Sequence, residues 1–378
     1  MIASSVALTL TNQAHNPLPI AAYNDQDRRF AGAFKILQEA VAARAFPGAA
    51  VAITYRGEII ALKGIGRFTY EPDSPAVEAT TIYDIASVTK VVSTTTVAML
   101  LYERGDLDLN ATVVDYLPEF DTEPGKKRVT LRMLLAHSSG LPAYEKLYER
   151  ATTREELFRL AATTPLQAPP LSRAEYSDLG FILLGEILSK IAREPLDRFS
   201  TEEIFRPLRM LFTGFTPRED WHAFVAPTVD DRDFRKRIIQ GEVHDENAWV
   251  MGGISGHAGL FSNAPDMAQF ALCMLRLGSP ILKPSTLNLF THRDALPEGT
   301  SRALGWDTPS VPSQSGQSFS SRSFGHLGYT GTSLWCDPVQ QLSVSLLTNR
   351  VWPDRSSQAI KYIRPRFHDA VVQALEEL

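Results

Sequence analysis

The chain has 378 residues, of which 44% are hydrophobic and 21% are charged, and its formal net charge is −5. This is the composition of a globular protein, and its length corresponds to roughly two or three domains, or to one domain with a large insertion. The acidic balance gives no electrostatic reason to expect nucleic acid or an anionic membrane as a partner. Apolar runs stay shorter than the ~18 residues of a membrane span. The N-terminus lacks the basic start of a signal peptide, so we expect a cytoplasmic protein unless a secretion signal has been trimmed.

The first part of the chain predicts one helix followed by two strands. Residues 1–24 are irregular and are expected to form a loose arm. Apolar residues recur at helical spacing over residues 25–44, which predicts a helix. Residues 49–55 and 58–64 are rich in β-formers and are joined by Arg56-Gly57, which predicts a hairpin.

The middle of the chain is mostly helical in its periodicity. A helix is predicted from Ser87 to Arg104, with Gly105 as its C-terminal cap. Further helices are predicted over residues 129–135, 179–191 and 264–277.

Strand signals return near the C-terminus. They cover residues 303–307, 324–335 and 342–349, and the serine-rich stretch 310–323 is predicted to be a long mobile loop. A last amphipathic helix is predicted from about residue 365 to residue 378.

Sheet signals at both ends with helices between them predict one α/β domain made from both termini, with a helical domain inserted. The predicted boundaries are an arm over 1–24, an α/β domain over 25–90 and 300–378, and an inserted domain over 91–299. The two cysteines, Cys273 and Cys336, lie in apolar runs and are expected to be buried thiols.

Ser87 and Lys90 stand at positions i and i+3 at the start of an apolar helix. Residues at this spacing share a helix face, so the lysine amine can reach the serine hydroxyl. Burial and the positive end of the helix both lower the pKa of a lysine, and backbone N–H groups at the helix start can stabilise an oxyanion. Such a pair also occurs about once by chance in a chain of this length. In isolation, a capping serine with a solvent-directed lysine is the more common arrangement.

Two later motifs favour a catalytic role for Ser87 and Lys90 over the capping arrangement. In Tyr176-Ser177-Asp178, a tyrosine hydroxyl at a loop-to-helix turn can relay a proton, although Asp178 as a helix cap with a packed tyrosine is an equally simple explanation. In the segment 325–331, the glycines allow another backbone to approach a strand edge, so that an extended substrate can pair there. The alternative for this segment is a glycine-rich hairpin.

Together, the three motifs and their order resemble the serine β-lactamase and penicillin-binding-protein superfamily. The branch resembled is that of class C β-lactamases, with related esterases, D-aminopeptidases and cell-wall amidases. The likeness runs from about residue 27 to the C-terminus, and the stretches 134–142 and 256–262 also match. The stretch 243–248 is similar to homologues linked to peptidoglycan recycling, including N-acetylmuramyl-L-alanine amidases.

The resemblance implies an α+β fold of the β-lactamase/transpeptidase type, an antiparallel sheet flanked by helices and built from both termini. It also implies that Ser87 is the acylated nucleophile, that Lys90 is its proton partner and that Tyr176 is a second acid/base group. The N–H groups of Ser87 and Tyr329 would form the oxyanion hole. The substrate-binding residues implied are Asp178, His326, Gly328, Tyr329 and Thr330. No cofactor is implied.

Two positions depart from the family pattern. Asp178 replaces an asparagine, and its carboxylate favours protonated lysine. Either Tyr176 then carries more of the proton transfer, or Asp178 faces a cation of the substrate. His326 replaces a lysine and Leu327 a hydroxyl residue, so a permanent cation becomes a group expected to titrate near neutrality, and no compensating arginine or lysine is evident.

These departures favour an amide or ester substrate other than an antibiotic. We therefore expect a serine hydrolase that forms an acyl-enzyme on a small molecule or peptide, first of all a cell-wall muropeptide. The alternatives are a carboxylesterase, a true β-lactamase, and a sensor that is acylated by penicillin without turnover. The oligomeric state is left open.

A metal site built from His244, Asp245 and His257 is a weaker alternative. Their spacing is not that of the H-E-x-x-H motif, and no cysteine lies nearby. Loop packing or substrate contacts are expected of these residues, and no metal ion is predicted.

Overall fold

The structure is a computed structural model that describes residues 25–376. The predicted arm over 1–24 and the last two residues of the predicted final helix lie outside the described residues. The α-helices of the described part are α1 (Gln26–Arg29), α2 (Ala31–Ala42), α3 (Thr96–Arg104), α4 (Val113–Tyr116), α5 (Leu131–Leu135), α6 (Arg154–Thr163), α7 (Asp178–Ala192), α8 (Leu196–Ser200), α9 (Glu246–Val250), α10 (Ala264–Leu275), α11 (Pro284–Thr291) and α12 (Ile360–Glu376). The strands are β1 (Gly48–Tyr55), β2 (Glu58–Gly66), β3 (Tyr83–Asp84), β4 (Gly214–Phe215), β5 (Val229–Asp231), β6 (Arg237–Ile239), β7 (Leu260–Ser262), β8 (Phe324–Leu327), β9 (Ser333–Asp337) and β10 (Leu342–Thr348).

The main sheet joins the two ends of the chain. It has five antiparallel strands in the order β2-β1-β10-β9-β8, so that β1 and β10 pair directly, with Ala52 opposite Ser345. The predicted hairpin between the first two strands is confirmed, because Arg56 and Gly57 both have positive φ, as a two-residue hairpin turn requires. β8 forms one edge of this sheet.

Both faces of the main sheet are covered, which explains why β1 is buried along nearly its whole length. Alternate residues of β1 face opposite sides. Ala49, Val51 and Ile53 pack in an apolar cluster with α2 and α12, whereas Ala50 and Ala52 pack in the larger cluster that includes α10. The expected antiparallel sheet flanked by helices is therefore confirmed.

The larger cluster also contains most of the apolar residues of the helical segment, such as those of α3 and α7. One continuous core thus contains Ala50, Leu183 and Phe324, which belong to both of the predicted domains. The division of the chain into two domains at residues 90 and 299 stays a prediction.

The segment after Ser87 is not the single helix that its sequence predicts. A 3₁₀ turn over Ala86–Val88 is followed by a π-helical stretch over Lys90–Thr95, and only then by α3. The Thr96 hydroxyl donates to the carbonyl of Val91, five residues earlier, which is consistent with the wider turn. The predicted cap at Gly105 is confirmed by its left-handed conformation.

Two predicted strands near the C-terminus differ in the structure. Residues 324–335 form β8 and β9, because the glycine-rich segment between them turns back on itself. Residues 303–307 form a turn, with only isolated bridges of Asp307 to Arg302 and to Gly325. The reversal occurs at Gly305, whose positive φ of 83° is poorly tolerated by residues with a side chain.

The last helix begins five residues before the predicted start and runs through Pro365. A proline removes the hydrogen bond to the carbonyl four residues earlier. In this helix that carbonyl, on Lys361, accepts a hydrogen bond of 3.1 Å from the Gln314 side-chain amide instead. The substitute donor explains why the helix continues where its sequence predicts a boundary.

Cys273 and Cys336 are free and buried, as predicted. No helix within residues 25–376 is both long and apolar enough to cross a membrane. The cytoplasmic location stays a prediction.

Glycine allows α7 to pack against the loop that follows α9. A Cβ atom on Gly185 would lie 2.8 Å from the backbone of Gly256, and one on Gly256 would lie 2.1 Å from the carbonyl oxygen of Phe181. This contact holds the start of α7 and residue 257 in a close relative position. Both carry groups of the site described below.

Replacing Gly185 by alanine is therefore expected to lower the free energy of unfolding by about 1–3 kcal/mol, because the added methyl forces two backbones apart. Gly32→Ala is the matched control, since nothing lies within 4 Å of its position on α2, and a gain of up to about 1 kcal/mol is expected there. Urea unfolding measures both. A Gly185→Ala protein as stable as the unaltered chain would contradict the packing argument.

Candidate active site

Ser87 lies on the 3₁₀ turn that follows β3 and lines a cavity of about 750 Å³. The backbone of this turn is held by the buried side chain of Asp84. One carboxylate oxygen accepts the Ala86 N–H at 2.7 Å, and the other accepts the His244 N–H at 2.6 Å. Burial raises the pKa of Asp84 to about 6. Ala86 itself has a positive φ of 47°, a conformation that these anchors maintain.

The Lys90 amine is fully buried and has three hydrogen-bond partners. Its Nζ atom lies 3.0 Å from Ser87 Oγ, 2.6 Å from Asp178 Oδ1 and 2.9 Å from the carbonyl oxygen of His257. Burial lowers the pKa of Lys90 below its usual 10.5, and the Asp178 carboxylate opposes only part of that effect. The three contacts also fit a neutral amine, which donates two hydrogen bonds and accepts one.

Tyr176 completes the contacts of the serine. Its hydroxyl lies 2.7 Å from Ser87 Oγ and 3.0 Å from Asp178 Oδ1. Burial, and then the nearby Asp178 carboxylate, raise the pKa of the phenol well above its usual value. At neutral pH the phenol is therefore protonated and can donate a proton. The expectation that Tyr176 carries more of the proton transfer stays a prediction.

The start of α7 places the tyrosine. Ser177, not Asp178, is the helix cap, because its hydroxyl accepts the Gly180 N–H at 3.2 Å. Asp178 is the first helical residue, and its carboxylate contacts Lys90 and Tyr176. The expected alternative of an Asp178 cap is thus wrong.

His137 packs against the Tyr176 ring and binds the backbone of the next residue. Its Nδ1 atom accepts the Ser177 N–H at 3.0 Å, and the centroids of the His137 and Tyr176 rings are 4.8 Å apart. Burial holds the pKa of His137 well below its usual value, so its Nδ1 lone pair is free to accept this bond. Sequence reasoning matched the stretch 134–142 to the family and gave His137 no role.

His326 lies on β8 at the edge of the sheet and is uncharged at neutral pH. Its Nδ1 lies 2.8 Å from the carbonyl oxygen of Leu327, and Nε2 has no hydrogen-bond partner among the described residues. Burial holds the pKa of His326 well below its usual range, and the neighbouring basic side chains of Lys90 and Arg302 act in the same direction when they are protonated. The expectation that it titrates near neutrality is wrong, because burial desolvates the imidazole and disfavours its charged form.

The glycine-rich turn between β8 and β9 closes the site next to Ser87. Gly328 lines the cavity, and a Cβ atom at this position would lie 2.0 Å from Thr332 Oγ1 and 2.5 Å from the carbonyl oxygen of Ile85. Tyr329 lines the cavity and is half exposed.

Thr330 is the predicted substrate-binding residue that the structure does not place in the cavity wall. It is fully buried, and its hydroxyl donates to the carbonyl oxygen of Asp84 at 2.8 Å. It therefore joins the turn to the Ser87 segment, and the side chain has no face left for a ligand.

Most of the charged residues that line the cavity were not predicted from the sequence. Arg302 lies with its guanidinium carbon 5.6 Å from the centroid of the Tyr176 ring, and its charge contributes to the low pKa of His326. Arg302 is thus a cation close to His326, which stands where the family pattern has lysine. The other charged lining residues that were not predicted are Glu246, Asp307, Arg350, Arg355, Lys361 and Arg364.

His244, Asp245 and His257 lie at or behind this wall. His257 Nε2 is 2.9 Å from Asp245 Oδ1, and its Nδ1 is 2.8 Å from Ser255 Oγ. His244 stacks on Tyr329 with ring centroids 5.7 Å apart. Within residues 25–376, no group of three or more His, Cys, Asp or Glu side chains is arranged to hold a metal ion.

Comparisons with known proteins agree with this geometry. The model of the family described as "Beta-lactamase" matches residues 33–364. The N-acetylmuramyl-L-alanine amidase of Bacillus subtilis is 34% identical over 348 residues, which cover 82% of this chain and 78% of the relative. A Salmonella typhimurium protein provisionally named D-alanyl-D-alanine carboxypeptidase is 33% identical, with 71% of this chain and 69% of the relative covered.

Among solved structures, a class C β-lactamase from Rhodobacter sphaeroides superimposes with a TM-score of 0.70 at 19% identity. The match covers 92% of this chain and 99% of that protein, and at this identity it shows the fold alone. Both curated relatives carry the names of enzymes, which favours a hydrolase over the alternative of a sensor without turnover.

Proposed function

The chain belongs to the β-lactamase family and is a serine hydrolase, and on this basis we propose that it cleaves the amide bond between N-acetylmuramic acid and the L-alanine of a cell-wall peptide. The observation that carries the chemistry is the contact of Ser87 Oγ with both Lys90 Nζ, at 3.0 Å, and Tyr176 Oη, at 2.7 Å. The choice of the scissile bond rests on the name of one relative, an N-acetylmuramyl-L-alanine amidase, with which this chain aligns over most of its length.

In the proposed mechanism Lys90 is the general base. As a neutral amine it donates to Asp178 and to the His257 carbonyl, so its lone pair faces the Ser87 hydroxyl. Ser87 transfers its proton to Lys90 while Oγ forms a bond to the carbonyl carbon of the substrate. The ammonium that results is stabilised by the Asp178 carboxylate, which is already in contact with it.

Tyr176 is the proposed general acid. Its raised pKa keeps the phenol protonated, and its hydroxyl lies beside the oxygen that attacks. As the C–N bond breaks, Tyr176 gives its proton to the departing amine. Tyr176 then regains a proton from Lys90. The two side chains are close because both contact Ser87 and Asp178. Water then attacks the acyl-enzyme, releases the acid and restores the Ser87 hydroxyl.

The backbone N–H groups of Ser87 and Tyr329 are the proposed oxyanion hole. The two segments that carry them are tied together, because the Thr332 hydroxyl donates to the Ile85 carbonyl at 2.9 Å and Thr330 to that of Asp84. Donors that are fixed before the reaction stabilise a developing negative charge without reorganisation.

A D-alanyl-D-alanine carboxypeptidase is the second candidate. Curated relatives from Salmonella carry that name, and Arg302 offers a cation near His326 that can meet a terminal carboxylate. The two candidates differ in the bond that is cleaved, and product analysis separates them.

Replacing the reacting groups tests the mechanism. Ser87→Ala is expected to abolish labelling by a fluorescent phosphonate, and Lys90→Ala and Tyr176→Phe are each expected to lower kcat by at least ~10²-fold, the usual loss for an acid/base group. Ser172→Ala, an exposed serine outside the cavity lining, is the control and should label normally. Persistent labelling of Ser87→Ala would move the nucleophile to another residue.

The pH profile tests the role of Asp178. Its carboxylate raises the pKa of Lys90, so Asp178→Asn lowers that pKa further. Because the neutral amine is the active form, the acid limb of kcat/KM is expected to move to lower pH. Asp121→Asn, at a surface ion pair with Lys127, is the control and should leave the limb in place. An unaltered limb in Asp178→Asn would refute lysine as the base.

Product analysis tests the substrate. The protein is expected to release the dipeptide from N-acetylmuramyl-L-alanyl-D-isoglutamine, with a higher kcat/KM than for nitrocefin or for a peptide ending in D-Ala-D-Ala. Turnover of p-nitrophenyl acetate serves as the control for an active serine. Release of D-alanine at the higher rate would favour the second candidate instead.

A further inference from the structure

Some of the charged side chains that line the cavity have no partner of opposite charge within the described residues. The cavity wall contains four carboxylates, and each is within 4 Å of a basic side chain within the described part of the chain. The pairs are Asp178 with Lys90 at 2.6 Å, Asp245 with His257 at 2.9 Å, Asp307 with Arg302 at 3.7 Å, and Glu246 with Arg355.

Three lining cations remain: Arg350, Lys361 and Arg364. None of them has a carboxylate partner within 4 Å among residues 25–376. Arg350 follows β10 by two residues, Lys361 and Arg364 lie in the first turns of α12, and the uncharged side chains of Gln314 and Gln358 also line the cavity. We call the part of the cavity lined by Arg350, Lys361 and Arg364 the cationic arm.

The two arginines are held in place by uncharged acceptors. Arg350 donates to the carbonyl oxygens of Tyr329 at 2.7 Å and of Ser357 at 2.8 Å. Arg364 donates to the Gln314 side chain at 2.8 Å and to the Gly331 carbonyl at 3.0 Å. These partners orient the guanidinium groups and leave their charge uncompensated.

Burying the Arg350 and Arg364 guanidinium groups without an anionic partner costs desolvation free energy. Arg350 and Arg364 are only 5% and 3% exposed, and the Nε atom of Arg364 has no hydrogen-bond partner among the described residues. Desolvation lowers the pKa of Arg350, and it lowers that of Arg364 to about 9. A buried cation is stabilised when an anion is brought to it, and arginine is suited to a carboxylate.

We propose that the cationic arm is an anion subsite that binds a free carboxylate on the peptide part of the substrate. The inference deepens the proposed function and rests on it, because that function supplies a peptide substrate. The subsite is distinct from Arg302, which lies beside Tyr176 and His326 at the reacting end of the cavity.

Competitive inhibition tests the subsite without requiring cleavage of a peptide. The inhibition constants of L-alanyl-D-glutamate and of its diamide are measured against hydrolysis of p-nitrophenyl acetate. The diacid is expected to bind at least about tenfold more tightly, the effect of one charged hydrogen bond. Lys361 is the residue to change, because it is exposed on α12 and its Nζ has no partner among the described residues.

Lys361→Gln is expected to reduce the preference for the diacid to less than about threefold, and Lys361→Glu to reverse it. Lys283→Gln, which removes an exposed lysine that is paired with Glu103 and does not line the cavity, is the control and should keep the full preference. Equal binding of diacid and diamide to the unaltered protein, or an unchanged preference in Lys361→Glu, would overturn the subsite.

The outcome is independent of the proposed amidase reaction. If the protein prefers the diacid but does not release dipeptide from a muramyl peptide, the subsite stands and the proposed function fails. If it releases the dipeptide but binds the diamide equally well, the proposed function stands and the subsite fails.

Discussion

The contacts of the buried Lys90 amine are the constraint on which the site depends. They join three segments that are far apart in the sequence: the Ser87 turn, the start of α7 at Asp178, and the loop that carries the His257 carbonyl. A buried amine is tolerated only when its hydrogen bonds are made. Any rearrangement that removes one of these segments therefore leaves a polar group unpaired in the core, which couples folding of the site to folding of the whole cavity wall.

Close backbone packing holds these segments at the required separations. Gly185 and Gly256 allow α7 to contact the loop before His257, and Gly328 allows the turn after β8 to contact the Ser87 segment. Buried hydroxyls and the Asp84 carboxylate then connect the backbones, with Thr330 as an example. The reacting groups are thus positioned by residues that do not react, which is the usual way in which rigid scaffolds orient a site.

Electrostatics distinguishes one end of the cavity from the other. Near Ser87, basic side chains and carboxylates are paired, and His326 is uncharged because burial disfavours its protonated form. Towards α12, buried arginines lack carboxylate partners. A substrate that is neutral at the scissile bond and anionic further along matches this distribution, and the proposed amide of a peptide with free carboxylates has that form.

By itself the sequence determined the features that depend on near neighbours. The i, i+3 spacing placed Lys90 beside Ser87, and alternation and helical periodicity located β1, β2, β10, α7 and α10 to within a few residues. Tertiary structure decided the rest: the neutral state of His326, the approach of Arg302, the burial of Thr330 and the helix continuing through Pro365. Local spacing follows from backbone geometry that every segment shares, whereas burial and charge depend on contacts between distant segments, and those form only when the chain folds.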